Sequence, residues 1–312
     1  MRLEKNFTAW FRLLRLPNLL TAPGDPVAGY LFATTAAGGS FDDTNPFLFP
    51  VLCIPSIFLY AAGTVHNDIC DVEEDRVKRP ERPIPSGQIG FATAGVVTVV
   101  LFTAGIAVVA CISAWKNTGF VPSLAALALA TCIFLYNSRL KKNRFAGPVS
   151  MGMCRGLNFL LGASFVQAVT AGLVATAAGI LLYVAAVTFL ADEEDTGGVS
   201  MAGKFLPAGA LLFWCSGILV DYRLASMMNQ PTSWLAIICY MLAFLSAVVV
   251  AIRLKQDSEK MEIAGCVSIL IRNIILLQAS ICFFVSGAAI LASGLLFFWL
   301  VHVILSKYFS PT

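Results

Sequence analysis

Hydrophobic and polar positions alternate along the chain in long blocks. Apolar runs long enough to span about 30 Å of hydrocarbon as helix fall at 18–38, 48–66, 91–114, 119–137, 146–167, 172–191, 204–222, 233–253, 262–284 and 286–306. The last two are separated only by Ser286-Gly287. They make either a tight hairpin or one spanning helix followed by a shallow one, so nine or ten spans are expected. Pro23, Pro26, Pro50 and Pro55 fall in or beside these runs, which a bilayer tolerates where neighbouring helices satisfy the freed backbone groups. Ahead of the first run, Phe7, Trp10, Phe11 and Leu14 recur at helical spacing opposite Lys5, Arg12 and Arg15. Residues 1–17 therefore read as an amphipathic helix on the membrane surface. Arg12 and Arg15 also interrupt the apolar core that a cleavable signal would need. The expected fold class is all-α: a polytopic transmembrane helical bundle, one membrane-embedded domain over 1–312, with polar stretches 67–90 and 192–203 as cytoplasmic motif loops.

Composition supports the membrane reading. The apolar set makes up 58% of the 312 residues, charged residues only 12%, and mean hydropathy is +0.81. Soluble domains carry about 25% charged residues, so a soluble fold of this size is excluded, as are a disordered chain, a nucleic-acid binder and a secreted disulfide scaffold. The nine cysteines include no C-x-x-C pair, and two histidines are too few for a His-ligated metal or haem. With the N-terminus in the cytoplasm, 17 of the 21 Lys and Arg residues fall on the inner side of the spans and two, Lys116 and Arg223, on the outer. That is a strong positive-inside asymmetry, and it points to a multi-pass protein of the cell's inner membrane.

The acids cluster. Of 18 Asp and Glu residues, six fall in 68–81 and four in 192–195, both at the inner ends of spans. In the first cluster Asp68, Asp71 and Asp75 occupy i, i+3 and i+7 of a helix, hence one face. Carboxylates so close repel one another unless a cation intervenes. Oxygen ligands with room for water suit Mg²⁺, which combines a few carboxylates with substrate phosphates. The basic run Arg76, Lys78, Arg79 and Arg82 follows, and Asp192 and Asp195 repeat the D-x-x-D spacing on a distant helix. Two acidic walls beside basic residues at the mouth of an apolar bundle describe a diphosphate–metal site. Within the spans, Asp25 is either an N-cap with Pro26 at N1 or a cavity carboxylate. Arg155 and Asn158 require a wet cavity or a partner acid. Asn18 is a further polar residue at the start of the first run. Arg272 beside Asn273 reads as a structural pair.

Asn67-Asp68-x-x-Asp71-x-x-x-Asp75, then Arg79 and Arg82-Pro83-Ile84-Pro85-Ser86-Gly87, resembles the first signature of the UbiA superfamily of intramembrane prenyltransferases. Arg15-Leu16-Pro17-Asn18 is similar to the Arg-Pro-x-Asn of the family's first helix. Tyr136-Asn137-x-x-Leu140-Lys141-Lys142 is similar to its Tyr-Ser-x-x-Leu-Lys-Arg segment, and Asp192-x-x-Asp195 stands where its second aspartate motif does. Val199 replaces that motif's third acid, and Glu193, Glu194 and Gly197-Gly198 also depart from it. The stretches Ala22-Pro23-Gly24-Asp25-Pro26 and Met153-Cys154-Arg155-Gly156-Leu157-Asn158 match no family-wide signature and resemble an outlying branch, the UbiA-like proteins encoded in bacterial ebo gene clusters. The resemblance implies about nine spans around a cavity open to lipid. It also implies Mg²⁺-dependent transfer of a prenyl group from a polyprenyl diphosphate to an aromatic or lipophilic acceptor. It makes Asn67, Asp68, Asp71, Asp75, Asp192 and Asp195 metal-site residues, with Asp71, Asp75, Asp192 and Asp195 essential to catalysis. Arg79, Arg82, Tyr136 and Lys141 become diphosphate contacts, and Asn18, Arg155 and Asn158 line the side from which the acceptor would approach. The altered second motif leaves open a second reading, a non-catalytic relative that binds or moves a lipid-linked or small metabolite.

Overall fold

The computed structural model describes residues 2–41, 45–196, 198–220, 231–285 and 288–308. Thirteen α-helices are present among them: α1 (Arg2–Leu13), α2 (Leu16–Leu19), α3 (Gly24–Ala36), α4 (Leu48–Cys70), α5 (Val72–Lys78), α6 (Phe91–Lys116), α7 (Val121–Leu135), α8 (Ala146–Ala163), α9 (Ala171–Thr196), α10 (Met201–Val220), α11 (Ser233–Arg253), α12 (Lys260–Phe284) and α13 (Ala289–Tyr308). α7 runs directly into a π-helical turn, Tyr136–Leu140. The described residues contain no strand, as the sequence leads one to expect.

Eight of these helices are long and apolar enough to cross a membrane: α4, α6, α7 with its π turn, and α9 to α13. The last two expected spans are thus two full helices, joined through residues 285–288 and packed on one another. The other two expected spans differ in kind. The run 18–38 breaks into α2 and the 13-residue α3, because Pro17 and Pro23 interrupt the backbone ladder. The run 146–167 becomes α8, which carries Arg155 and Asn158 and so lacks the apolarity of a lipid-facing helix.

Both of these helices lie inside the bundle. All of α3 except Thr34 is buried, and α3 packs on α4, α8, α9 and α12. Its crossing with α8 depends on missing side chains. A Cβ at Gly29 would collide with the carbonyl oxygen of Phe159, and one at Gly162 with that of Pro26. Close helix approach over small residues is how bundles pack where lipid removes the hydrophobic drive. α6 and α13, by contrast, form the periphery and present Val96, Val99, Val100, Phe297 and Ile304 outward. At one end of the bundle, Ala9 and Leu13 of α1 pack on Val65, Val72, Ile84 and Ile89. This contact anchors the segment after α4 that carries the first acidic motif.

Candidate active site

The end of α4 carries Asn67 and Asp68. At Asp71 the helix breaks (φ −95°, ψ 0°) and restarts as α5, which holds Asp75. The chain then folds back through residues 79–90, where Ile89 N donates to the carbonyl of Pro83 at 2.9 Å. This reversal returns Arg82 to the acids, and the four motif residues divide into two charge-balanced groups. Arg82 meets Asp75 at 2.7 Å and Asp68 at 3.8 Å, and Arg15 meets Asp68 at 3.2 Å. Lys141 meets Asp71 at 2.6 Å and donates to Asn67 Oδ1 at 3.2 Å, while Asn67 Nδ2 donates to Asp71 Oδ2 at 3.2 Å. Asp68 and Asp75 are buried, whereas Asp71 stays partly open.

Local backbone geometry delivers the cations. Arg15 adopts a left-handed conformation (φ 48°, ψ 57°) between α1 and α2, a sparsely populated state for a non-glycine residue that persists where surroundings over-determine it. Here it turns the guanidinium toward Asp68. The π turn at the end of α7 carries Tyr136 and Asn137 and leads into Lys141, with Asn137 Nδ2 donating to the carbonyl of Gly63 on α4 at 2.9 Å. Single π turns recur at functional sites. Glu74, on the exposed side of α5, binds Lys78 at 2.8 Å and Lys142 at 3.2 Å. Hydrogen bonds from Lys78 and then Lys142 push its carboxyl down to about 2.

These groups face a cavity of about 520 Å³, lined by Asn67, Asp71, Asp75, Arg79, Arg82, Tyr136 and Lys141 from one side and by Asp192 and Glu194 of α9 from the other. Arg15, Asn18, Glu74, Lys78, Lys142 and Arg155 add to its polar lining, and Val184, Val187, Val267 and Ile271 supply apolar wall. The two acidic segments, remote in sequence, thus share one cavity. Asp192 is exposed to it. Glu193 turns away, is buried, and accepts from Ser200 N at 3.1 Å, tying α9 to the start of α10. The side chain of Asp195 lies outside the described residues. Val199, in place of a third acid, is buried, and its N–H is paired with the carbonyl of Gln256 at 3.1 Å.

A narrower apolar cavity of about 140 Å³ adjoins the first between α4, α7 and α8. It shares Tyr60, Tyr136, Met151 and Arg155 with the larger one and continues past Leu59, Leu129 and Ile133. Beneath the two lies a buried polar cluster centred on Asp25. Its carboxylate is 3.1 Å from Arg155 Nε and accepts from Asn158 Nδ2 at 3.0 Å and Gln278 Nε2 at 2.6 Å. Arg155 also donates to the carbonyl of Thr21 at 2.7 Å, and Asn158 to Ser56 Oγ at 2.8 Å. Asp25 therefore sits inside the first turn of α3, not at its N-cap, and is the partner acid that Arg155 requires. Gln278 and Ser56 escaped the sequence reading. Their signal was available, since a polar side chain within an apolar run calls for a partner at that depth.

The donors that reach the larger cavity from its acidic walls are all oxygens, from Asn67, Asp71, Asp75, Asp192 and Glu194, with no His or Cys in the lining. That set suits a hard divalent ion such as Mg²⁺, which keeps several waters and binds through one or two carboxylates plus substrate phosphates. Among the described residues, no three acidic, His or Cys side chains converge into a protein-only cage. The donors are spread around the walls of the cavity.

Residues 27–264 match the model of the UbiA prenyltransferase family. Curated relatives include the digeranylgeranylglyceryl phosphate synthases of Methanoculleus marisnigri, 34% identical over 204 residues (63% of this chain, 66% of the relative), and of Methanosarcina mazei, 32% identical over 203 residues (62% and 68%). That of Sulfolobus acidocaldarius is 30% identical over 154 residues (49% and 51%). The matches thus span between half and about two thirds of these relatives' lengths. Among solved structures, one described as giving insight into digeranylgeranylglyceryl phosphate synthase in membranes superposes with a TM-score of 0.59 at 21% identity, covering 91% of this chain and 99% of that one. A UbiA homolog from Archaeoglobus fulgidus bound to DMAPP and Mg²⁺ gives 0.53 at 16% identity, covering 86% and 98%. At these identities the structures establish a shared fold.

Proposed function

The chain belongs to the UbiA prenyltransferase family, and on that premise we propose that it transfers a prenyl group from a polyprenyl diphosphate to a lipophilic acceptor inside the membrane. It is an integral, multi-pass membrane protein. The observation that carries the proposal is the single cavity in which both acidic segments and the cations Arg79, Arg82 and Lys141 meet, continuous with an apolar one.

The diphosphate sits in the larger, polar cavity, and the hydrocarbon tail follows Met151, Leu129 and Ile133 into the narrower one. Asn67, Asp71, Asp75, Asp192 and Asp195 are the residues that would hold Mg²⁺, with Asp68 supporting the first wall. When bound, the metal supplies positive charge to the diphosphate oxygens. As the allylic C–O bond ionises, charge develops on the departing oxygen, and preset cations stabilise it where the transition state needs them. Arg79 and Lys141 serve this role directly, and Tyr136 closes the junction between tail and head. Lys141 bridges Asn67 and Asp71, so it is placed to exchange a carboxylate for a phosphate oxygen. Arg82 does two things at once: it contributes charge to the cavity and neutralises Asp68 and Asp75. The acceptor approaches along Asn18 and the Arg155–Asn158 face, and the surrounding bilayer keeps water from the carbocation. The carboxylate beside that face, Asp25, is engaged by Arg155, Asn158 and Gln278, so the site favours an acceptor that loses its proton readily after alkylation.

A transfer assay with labelled geranylgeranyl diphosphate on purified protein tests this reading. Asp71→Ala is expected to lower transfer at least 100-fold in a protein that still folds, and excess EDTA to stop the wild type. Full activity in either condition overturns the metal-assisted reading. The proposal also places the N-terminus in the cytoplasm of an inner membrane, on the strength of the 17-to-2 distribution of basic residues. A reporter fused after residue 90 should lie in the cytoplasm; a reporter found on the outer side refutes that orientation.

A further inference from the structure

Away from the central site, a second cavity of about 430 Å³ lies between α11, α12 and α13. Its walls are largely Leu and Ile, and Leu242 and Leu300 are exposed on the outer surface of the bundle, so it opens toward lipid. Four polar side chains interrupt this apolar lining: Ser246, Arg272, Asn273 and Trp299. Arg272 is twelve residues from either end of α12, about 18 Å at the helical rise. From the middle of a span its side chain does not reach the headgroup region, as arginines near helix ends do.

The expected pairing of Arg272 with Asn273 is not found. Asn273 turns to α11 and donates to the carbonyl of Ala243 at 3.2 Å and to Ser246 Oγ at 2.7 Å. Among the described residues, Arg272 has no ion-pair or hydrogen-bond partner, and its Nε is buried with none. Trp299 Nε1 is likewise buried without a partner. One turn along α13, His302 is 1% exposed, both ring nitrogens are unpartnered, and the Arg272 charge is felt at its ring. α12 and α13 are joined by four residues, so Arg272, twelve before Phe284, and His302, thirteen after Ala289, are level in the bundle. By contrast, the buried Arg155 has Asp25, and Arg82, half-buried like Arg272, has Asp68 and Asp75.

A cation held in hydrocarbon without a counter-charge is costly, and side chains of this kind inside membranes mark ligand sites. The cavity is reached from lipid and its unpartnered polar groups, Arg272 and Trp299, are donors, so the missing partner is an anion with an apolar body. A phospholipid fits poorly, because its phosphate is anchored at the interface, about 18 Å from Arg272. We propose that this crevice binds a long-chain carboxylic acid, its carboxylate accepting from Arg272 and Trp299 and its chain lying along the leucines. The site is separate from the prenyl-transfer site and does not depend on that reading.

Trp299 supplies the probe. The full chain in nanodiscs is titrated with 9,10-dibromostearic acid, whose bromines quench a nearby indole, and in parallel with its methyl ester. Saturable quenching by the acid is expected, at least tenfold tighter than by the ester and absent in Trp299→Phe. Arg272→Met should weaken it at least tenfold, and Arg272→Lys should keep most of it. Equal binding of acid and ester by the wild type overturns the proposal, as does unchanged binding by a folded Arg272→Met protein. The acid-against-ester comparison needs no variant, so it decides the question even where Arg272→Met does not fold.

Discussion

Arg82 shows how much of this site depends on single side chains placed by the backbone. Its guanidinium lies between Asp68 and Asp75, both nearly inaccessible. Removing one partner from a buried ion pair leaves uncompensated charge and costs about 3–5 kcal/mol. Arg82→Ala should therefore destabilise the protein by about that amount, read as a lowered thermal transition in detergent. Asp75→Asn in the same background should recover part of the loss; an Arg82→Ala protein as stable as the wild type would show the cluster to be solvated. The D-x-x-D spacing was legible in the sequence, and so was the basic run after it. Which cation serves which acid was not, because that depends on the reversal over 79–90 and on the left-handed turn at Arg15. Glu193 reads in sequence as another loop acid, yet it accepts from the Ser200 N–H; only the position of α10 reveals that.

At the scale of elements, hydropathy located the long helices, α8 and the enclosed α12 among them, and missed only the break between α2 and α3. Runs such as 91–114 and 233–253 are seen by their apolarity, and α6 and α11 match them closely. α3 is enclosed by other helices, so nothing requires it to span the hydrocarbon by itself, and Pro23 breaks it from α2 at little cost. The π turn at Tyr136–Leu140 has no sequence signature of its own, since it arises from the fit of α7 against α4 and α8. The α3–α8 crossing is the most demanding packing contact. A methyl at Gly162 meets the Pro26 carbonyl, a backbone atom that cannot swing aside. Overpacking of this kind typically costs about 1–3 kcal/mol. Gly162→Ala should lower the thermal transition accordingly and reduce transfer as well, because the crossing carries Asp25, Arg155 and Asn158. The same substitution at Gly95, where an added Cβ meets nothing within 4 Å, should be neutral. Equal stability of the two variants would mean that the helices separate freely.

The molecule as a whole is a shell of apolar helices around a polar interior, and membership of the family follows from the match over residues 27–264. Two acidic segments more than 100 residues apart reach one cavity only because α4 and α9 end on the same side of the bundle, an arrangement the charge distribution anticipated. Sequence could say that the clusters belong together; it could not say that the cavity between them leads into an apolar pocket against Leu129 and Ile133. The most direct test is a cryo-EM structure of the full chain with Mg²⁺ and geranylgeranyl thiodiphosphate, an analogue that resists ionisation. The expected result is diphosphate density between Asp71 and Asp192, beside Arg79 and Lys141, with the prenyl chain running past Tyr136 and Met151. Ordered ligand elsewhere, with the central cavity empty, would contradict the assignment of this cavity as the site of transfer.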